Sequence, residues 1–146
     1  VEAELQLIRS EVSSEELLNQ SFTSTAIQSE IKLSSFPIVH IATHGNFSSQ
    51  ADETYILAWD RRIKVKELDD VLQTGQLTRR EPLELLVLSA CETAQGDNRA
   101  ALGLAGVAVR AGARSTLATL WQVNDQSTAL LIGQFYKELV DGKVSK

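Results

Sequence analysis

The only cysteine of the chain and one of its two histidines stand where apolar segments end. Cys91 follows the apolar run 85–90, and His44 follows the run 38–43, which is rich in β-branched residues. Short apolar runs that end in polar residues are typical of buried parallel strands. Chemistry in open α/β sheets lies just beyond the carboxyl ends of such strands. If the two strands are parallel neighbours, a thiol and an imidazole lie side by side at one edge of the sheet.

This pair predicts nucleophilic catalysis. A nearby imidazole can take the proton of a thiol and later return it to a leaving amine. Gly45, directly after His44, is predicted to let the backbone turn sharply and to present its N–H to an oxyanion. The alternative for Cys91 is a buried structural thiol, because free cysteine is among the most buried residue types. Its place in the segment Ser89-Ala90-Cys91-Glu92-Thr93, beyond the large apolar residues 85–88, favours the functional role.

Two other candidate residues have simpler explanations. His40 and His44 are four residues apart, which on a helix would suggest a metal pair. Residues 38–43 favour a strand and no third ligand is evident, so we expect no metal and no other cofactor, with His40 in the core or supporting His44. Asp125 precedes a helical pattern and is expected to be its N-cap. A cap at the carboxyl end of a strand also borders the active-site crevice, so Asp125 can have both roles.

The composition is that of one ordinary globular domain. The chain has 146 residues, of which 43% are hydrophobic and 23% charged. The net charge of −5 has no basic stripe for nucleic acid, and no segment approaches the roughly 18 apolar residues that span a membrane. The first residues do not resemble a signal peptide, and a single cysteine excludes an internal disulfide. We therefore expect a cytoplasmic protein, and the lack of an initiator methionine suggests a fragment of a longer one.

Hydrophobic periodicity predicts strands that alternate with helices, which implies a parallel sheet covered on both faces. The segment 55–65 looks like a small hairpin with Asp60-Arg61 at its turn, although a type I′ turn prefers glycine. The helices are predicted over residues 1–12, 23–33, 65–75, 100–112 and 125–142, and the other strands over 17–22, 38–43, 85–90 and 115–121.

Four motifs together resemble the CHAT domain, a caspase-like module often joined to TPR repeats. They are VHIATHG at 39–45, LSACET at 88–93, AGAR at 111–114 and LWQVND at 120–125. They occur in the family's order, and the resemblance covers residues 1–146. It implies an α/β fold, a caspase-like three-layer sandwich with a mostly parallel central sheet, helices on both faces and a small β-hairpin.

The resemblance also implies a function. The family's likeness to caspases and separases indicates a cysteine endopeptidase that cleaves protein or peptide substrates with a dyad of His44 and Cys91. The backbone N–H groups of Gly45 and Cys91 would form the oxyanion hole. Asp125 matches an acidic position that shapes the substrate pocket in separase-like relatives, where it would favour a basic side chain. The implied partners are TPR repeats or another regulatory domain, and a second copy of the chain is a further option.

The chain departs from the family pattern at its ends. The family fold begins with a strand before residue 1 and continues into a helix after residue 146, so the chain is expected to be a partial CHAT domain, truncated at both ends. A sheet that lacks a strand leaves backbone groups unpaired. Residues 98–101 also replace a stretch that is often rich in Gly and Glu. The alternative function is therefore a catalytically inactive caspase-like binding or scaffold module. A small-molecule thiol hydrolase is a third reading, with no substrate-site residues to support it.

Overall fold

The computed structural model of the protein describes residues 1–33, 36–48, 51–78, 82–93, 112–119 and 124–142. The helix predicted over 100–112 lies almost entirely outside these ranges. Within them are short 3₁₀ turns at Asn19–Ser21 and Ala51–Glu53. The α-helices are α1 (Glu2–Glu11), α2 (Ser24–Leu33), α3 (Val65–Thr78) and α4 (Asp125–Val140), and the strands are β1 (Ile38–Phe47), β2 (Tyr55–Leu57), β3 (Arg62–Lys64), β4 (Leu85–Thr93) and β5 (Ser115–Ala118).

The strands form one mixed sheet in the order β3-β2-β1-β4-β5. β4 pairs in parallel with β1 and with β5, whereas β1 pairs antiparallel with β2 and β2 with β3. The α/β class is as expected and is compatible with a caspase-like fold, but the expectation of a mostly parallel sheet is not confirmed. The reason is that the predicted hairpin forms and also joins the sheet through β1. The three-layer arrangement stays a prediction.

Strand β4 is the apolar centre of the sheet. Leu85, Leu86, Val87 and Leu88 are at most 3% exposed, and because alternate residues face opposite sides, both faces of this strand are covered. Such a continuous apolar run is what the sequence predicted for a buried parallel strand. β5 is less buried than predicted, since it is the last strand of the described sheet and has one neighbour there. One face of the sheet contributes to a core with α2 and α3, whose buried members include Ile27, Ile31, Ile41, Leu68, Leu72, Leu86 and Leu88.

The chain divides into two compact units, residues 17–122 and residues 1–16 with 123–146. In the second unit α1 packs against α4, and Gly133 lets them approach closely: a Cβ at this position would lie 3.1 Å from the Cβ of Leu7. Burial raises the pKa of Tyr136, and the nearby carboxylate of Glu4 raises it further. Ala129, Ile132 and Tyr136 of α4 are buried.

The strand predicted over residues 17–22 is wrong. This segment holds a 3₁₀ turn in which Asn19 has a φ of 51°. The Ser21 hydroxyl accepts a hydrogen bond from the amide of Leu18 at 2.8 Å and donates one to the Leu18 carbonyl at 2.9 Å. Local bonds of this kind satisfy the backbone without a neighbouring strand.

Gly75 was predicted near the end of a helix, but α3 continues to Thr78. The glycine instead marks a close contact between α2 and α3. A Cβ at position 75 would lie 2.8 Å from Cγ2 of Ile31 and 2.9 Å from its carbonyl oxygen. Tertiary packing, not helix termination, explains the residue type.

The Asp60-Arg61 turn has no glycine because both side chains bind neighbouring helices. The Asp60 carboxylate accepts hydrogen bonds from the amide of Ser24 at 2.8 Å and from its hydroxyl at 2.6 Å. This places a negative charge where the first amides of α2 lack helical partners. Arg61 donates two hydrogen bonds to Glu67 in the first turn of α3. The turn therefore links the hairpin to α2 and α3, the two helices that pack on the core of residues 17–122.

Replacement of Gly75 by alanine is expected to destabilise the fold. Alanine improves helix propensity by about 1 kcal/mol, but overpacking costs about 1–3 kcal/mol and the Ile31 carbonyl cannot rotate away. We expect a net loss in the free energy of unfolding, measured by denaturant titration. Asp70→Ala, at an exposed position of the same helix, is the control for propensity alone. An equal gain in stability for both variants would contradict the packing argument.

The Asp60 cluster predicts a stability that falls in acid. Hydrogen bonds from the Ser24 side chain and amide lower the pKa of Asp60, and a hydrogen bond from Arg61 lowers that of Glu67. Stabilisation from a lowered pKa is complete above the unfolded value, about 4 for these groups, and is lost as the pH falls through the folded value. Denaturant titrations at several pH values below about 4 should show that the free energy of unfolding decreases as the pH falls. In Asp60→Asn this free energy should depend less steeply on pH. Asp70→Asn is the control. An unchanged slope in Asp60→Asn would remove this residue from the explanation.

Candidate active site

A β-bulge in β1 lies directly opposite Cys91. The two strands are in regular parallel register from Ile38 opposite Leu85 to Thr43 opposite Ala90, and the next pair is Asn46 opposite Glu92. Two residues of β1, His44 and Gly45, therefore oppose the single residue Cys91. Neighbouring strands lie about 4.8 Å apart. The structure thus brings the backbones of His44 and Cys91 together, and the prediction that their strands are parallel neighbours is confirmed.

The two positions also share a face of the sheet. His40 lies opposite Val87 and Ala42 opposite Ser89, so these four residues are on one face. Strand alternation puts position 44 and position 91 on the same face. The side chain of His44 is exposed and makes no hydrogen bond with any residue that the structure describes.

The prediction that Gly45 turns the chain sharply is wrong. Gly45 lies inside β1, opposite Ile56 of β2, and is buried. The strand continues to Phe47 rather than ending at Thr43, because the hairpin offers an antiparallel partner to residues 45 and 46. A Cβ at position 45 would lie 2.8 Å from the carbonyl oxygen of Tyr55. Glycine is needed here for the close approach of two strands.

Two side chains fasten the strand on either side of the bulge, one to β2 and the other to the 3₁₀ turn that precedes β2, and sequence reasoning missed both. The Thr43 hydroxyl donates to the carbonyl of Leu57 at 2.6 Å, and the Asn46 amide donates to the carbonyl of Glu53 at 2.8 Å. One precedes the His44-Gly45 pair and the other follows it. The available signal was a threonine inside an apolar strand, since a buried hydroxyl requires a hydrogen-bond partner.

The prediction that Asp125 is the N-cap of α4 is wrong. Asn124 is the cap, and its side-chain oxygen accepts hydrogen bonds from the amides of Gln126 at 3.0 Å and Ser127 at 3.2 Å. Asparagine and aspartate are about equally good caps, so the pattern alone left one residue of ambiguity. Asp125 is the first helical residue, in the unit that contains α1 and α4. Its role in substrate binding stays a prediction.

No group of three or more His, Cys, Asp or Glu side chains that could hold a metal is found among the residues described. His40 is half-buried. Within the described ranges, no helix combines the length and apolar character required to cross a membrane.

The CHAT domain family model matches residues 1–146, which is the whole chain. The chain belongs to the CHAT-domain family. CHAT domains are caspase-like modules related to cysteine peptidases. No curated protein matches the sequence.

Gly45→Ala is expected to lower the free energy of unfolding by about 1–3 kcal/mol, because a new methyl group would press on the Tyr55 backbone. Thermal or denaturant unfolding measures this. Thr116→Ala, at an exposed position of β5, controls for general sensitivity of the sheet. Wild-type stability in Gly45→Ala would mean that β1 and β2 can separate at no cost.

Proposed function

We propose that this CHAT domain is a cysteine endopeptidase with His44 and Cys91 as its catalytic dyad. The observation that supports the proposal is the bulged register, which sets His44 and Gly45 opposite Cys91 on adjacent parallel strands. Both strands lie in the interior of the sheet, with a neighbour on each side. Rigid elements of this kind fix the separation between two catalytic groups.

The proposed reaction is hydrolysis of a peptide bond through an acyl-enzyme. The Cys91 sulfur, having lost its proton to the His44 imidazole, attacks the scissile carbonyl carbon and forms a tetrahedral oxyanion. The C–N bond then breaks as His44 gives its proton to the leaving amine. A water molecule, deprotonated by His44, then attacks the thioester carbonyl carbon. The C–S bond breaks, the carboxylic acid leaves, and His44 returns its proton to the sulfur.

Backbone amides at the bulge are the proposed oxyanion donors. A bulge locally interrupts the ladder of hydrogen bonds, so amides there can bind something other than a neighbouring strand. The N–H groups of Gly45 and Cys91 are on the two sides of this interruption. Amides that are fixed before the reaction stabilise developing negative charge without reorganisation.

The dyad predicts that His44 controls the reactivity of the only cysteine. We expect His44→Ala to slow alkylation of Cys91 by iodoacetamide about tenfold at pH 7, because loss of the imidazole lowers the thiolate fraction. Intact-protein mass spectrometry can follow the single adduct, over a range of pH. His40→Ala is the matched control, since it removes the other histidine on the same face of β1, and its rate should stay within about twofold of wild type. Equal rates in both histidine variants would refute the dyad.

Turnover is tested separately with a diverse peptide library, using the whole protein and Cys91→Ser as the inactive control. Cleavage by wild type and not by Cys91→Ser supports a peptidase. Thiol reactivity that depends on His44, with no cleavage of any peptide, would instead favour the binding or scaffold module.

A further inference from the structure

We infer that Thr43 is a positioning residue for His44, an inference that rests on the proposed dyad. Its hydroxyl fixes the part of β1 from which the bulge begins and so decides which residue of this strand lies opposite Cys91. Thr43 acts through His44 and is not assigned any contact with substrate.

Thr43 is the last residue of β1 in regular register with β4 before the bulge. It is 9% exposed, and its hydroxyl donates to the Leu57 carbonyl at 2.6 Å. The backbone pairing of β1 with β2 covers Gly45 and Asn46 but stops short of Thr43. The side chain therefore supplies a link to β2 where the backbone ladder has ended.

This link and Gly45 hold His44 from both sides. Before His44, the Thr43 hydroxyl ties the strand to Leu57; after it, the backbone of Gly45 lies too close to Tyr55 for any side chain. A bulge leaves residues unpaired, so its position along a strand is weakly fixed by the ladder itself. A shift of one residue would exchange His44 for a neighbour opposite Cys91 and reverse the face of each side chain. The Thr43 bond opposes that shift.

A purely structural role is the competing explanation, since any buried hydroxyl needs a partner. The two explanations differ in what happens to Cys91. Loss of a merely structural hydrogen bond lowers stability and leaves the reactivity of the thiol unchanged. Loss of a positioning bond changes how strongly His44 influences the thiol, and therefore changes the pH profile of alkylation.

The test compares Thr43→Val, which has nearly the same shape but no hydroxyl, with Thr43→Ser, which keeps the hydroxyl. The readout is the rate of Cys91 alkylation by iodoacetamide against pH, with His44→Ala measured in parallel. We expect Thr43→Val to react about tenfold more slowly at pH 7 with a profile moved toward that of His44→Ala, because a small misplacement of a catalytic group has a large effect on rate. Thr43→Ser should stay within about twofold of wild type.

Thr54→Val is the matched control for loss of a buried hydroxyl. The Thr54 hydroxyl accepts from the amide of Ser48 and donates to its carbonyl, both at 3.0 Å, beyond the far end of β1. This variant should lose stability and keep the wild-type pH profile. If Thr43→Val does not fold, the comparison of Thr43→Ala with Thr43→Ser decides in the same way.

Two results would overturn the inference: a wild-type profile in the variant that lacks the Thr43 hydroxyl, or an equal change in Thr54→Val. The parallel measurement shows which proposal has failed. If His44→Ala itself has the wild-type profile, the dyad is wrong and the role of Thr43 fails with it. If His44→Ala alters the profile and Thr43→Val does not, the dyad stands and only the positioning role is lost.

Discussion

The parallel pairing of β1 with β4 is the constraint on which the candidate site depends. Six consecutive residues of β1, from Ile38 to Thr43, lie in register with six of β4, and β4 is covered on both faces. A slip of one residue would turn the apolar side chains to the wrong faces, so burial holds the register. The single extra residue of the bulge then sets His44 and Gly45 opposite Cys91. The juxtaposition of His44 and Cys91 is thus a consequence of hydrophobic packing several residues away.

The hairpin supplies the other side of the site, and its own position depends on charge. Asp60 binds the N-terminus of α2, and Arg61 binds Glu67 in α3. The hydrogen bonding of Arg61 to Glu67 lowers the pKa of Glu67 and raises that of Arg61, and the hydrogen bonds from Ser24 lower the pKa of Asp60. All three side chains therefore stay charged near neutral pH. Because β2 leads into this turn and also borders Gly45, the ionic contacts at one end of the hairpin help to hold the strand against which the bulge packs.

A feature could be predicted from the sequence when the residues that determine it are close together in the chain, and not when they are far apart. Residues 85–90 could be recognised as a buried strand because their own apolar character decides it, and the resemblance to the CHAT domain pointed to His44 and Cys91. Gly45 was misread as a turn, since the reason for a glycine is a carbonyl of another strand, ten residues away in sequence. Gly75 was misread as a helix end for the same kind of reason, a contact with Ile31. Local pattern carries no information about such approaches. For Thr43 the pattern showed that a buried hydroxyl needs a partner, but not that the partner is the carbonyl of Leu57.

The bulge itself argues for a function at this point of the sheet. A regular strand would form more ladder bonds with β4, and a bulge at an interior position forfeits some of them. The residue that it presents, His44, is exposed and makes no hydrogen bond with the described part of the chain, so it adds little to folding. Gly45 contributes no side chain to the core and is required only because the strands are so close. An irregularity that costs stability and leaves an imidazole exposed fits the dyad that we propose, because packing alone would favour an unbroken strand.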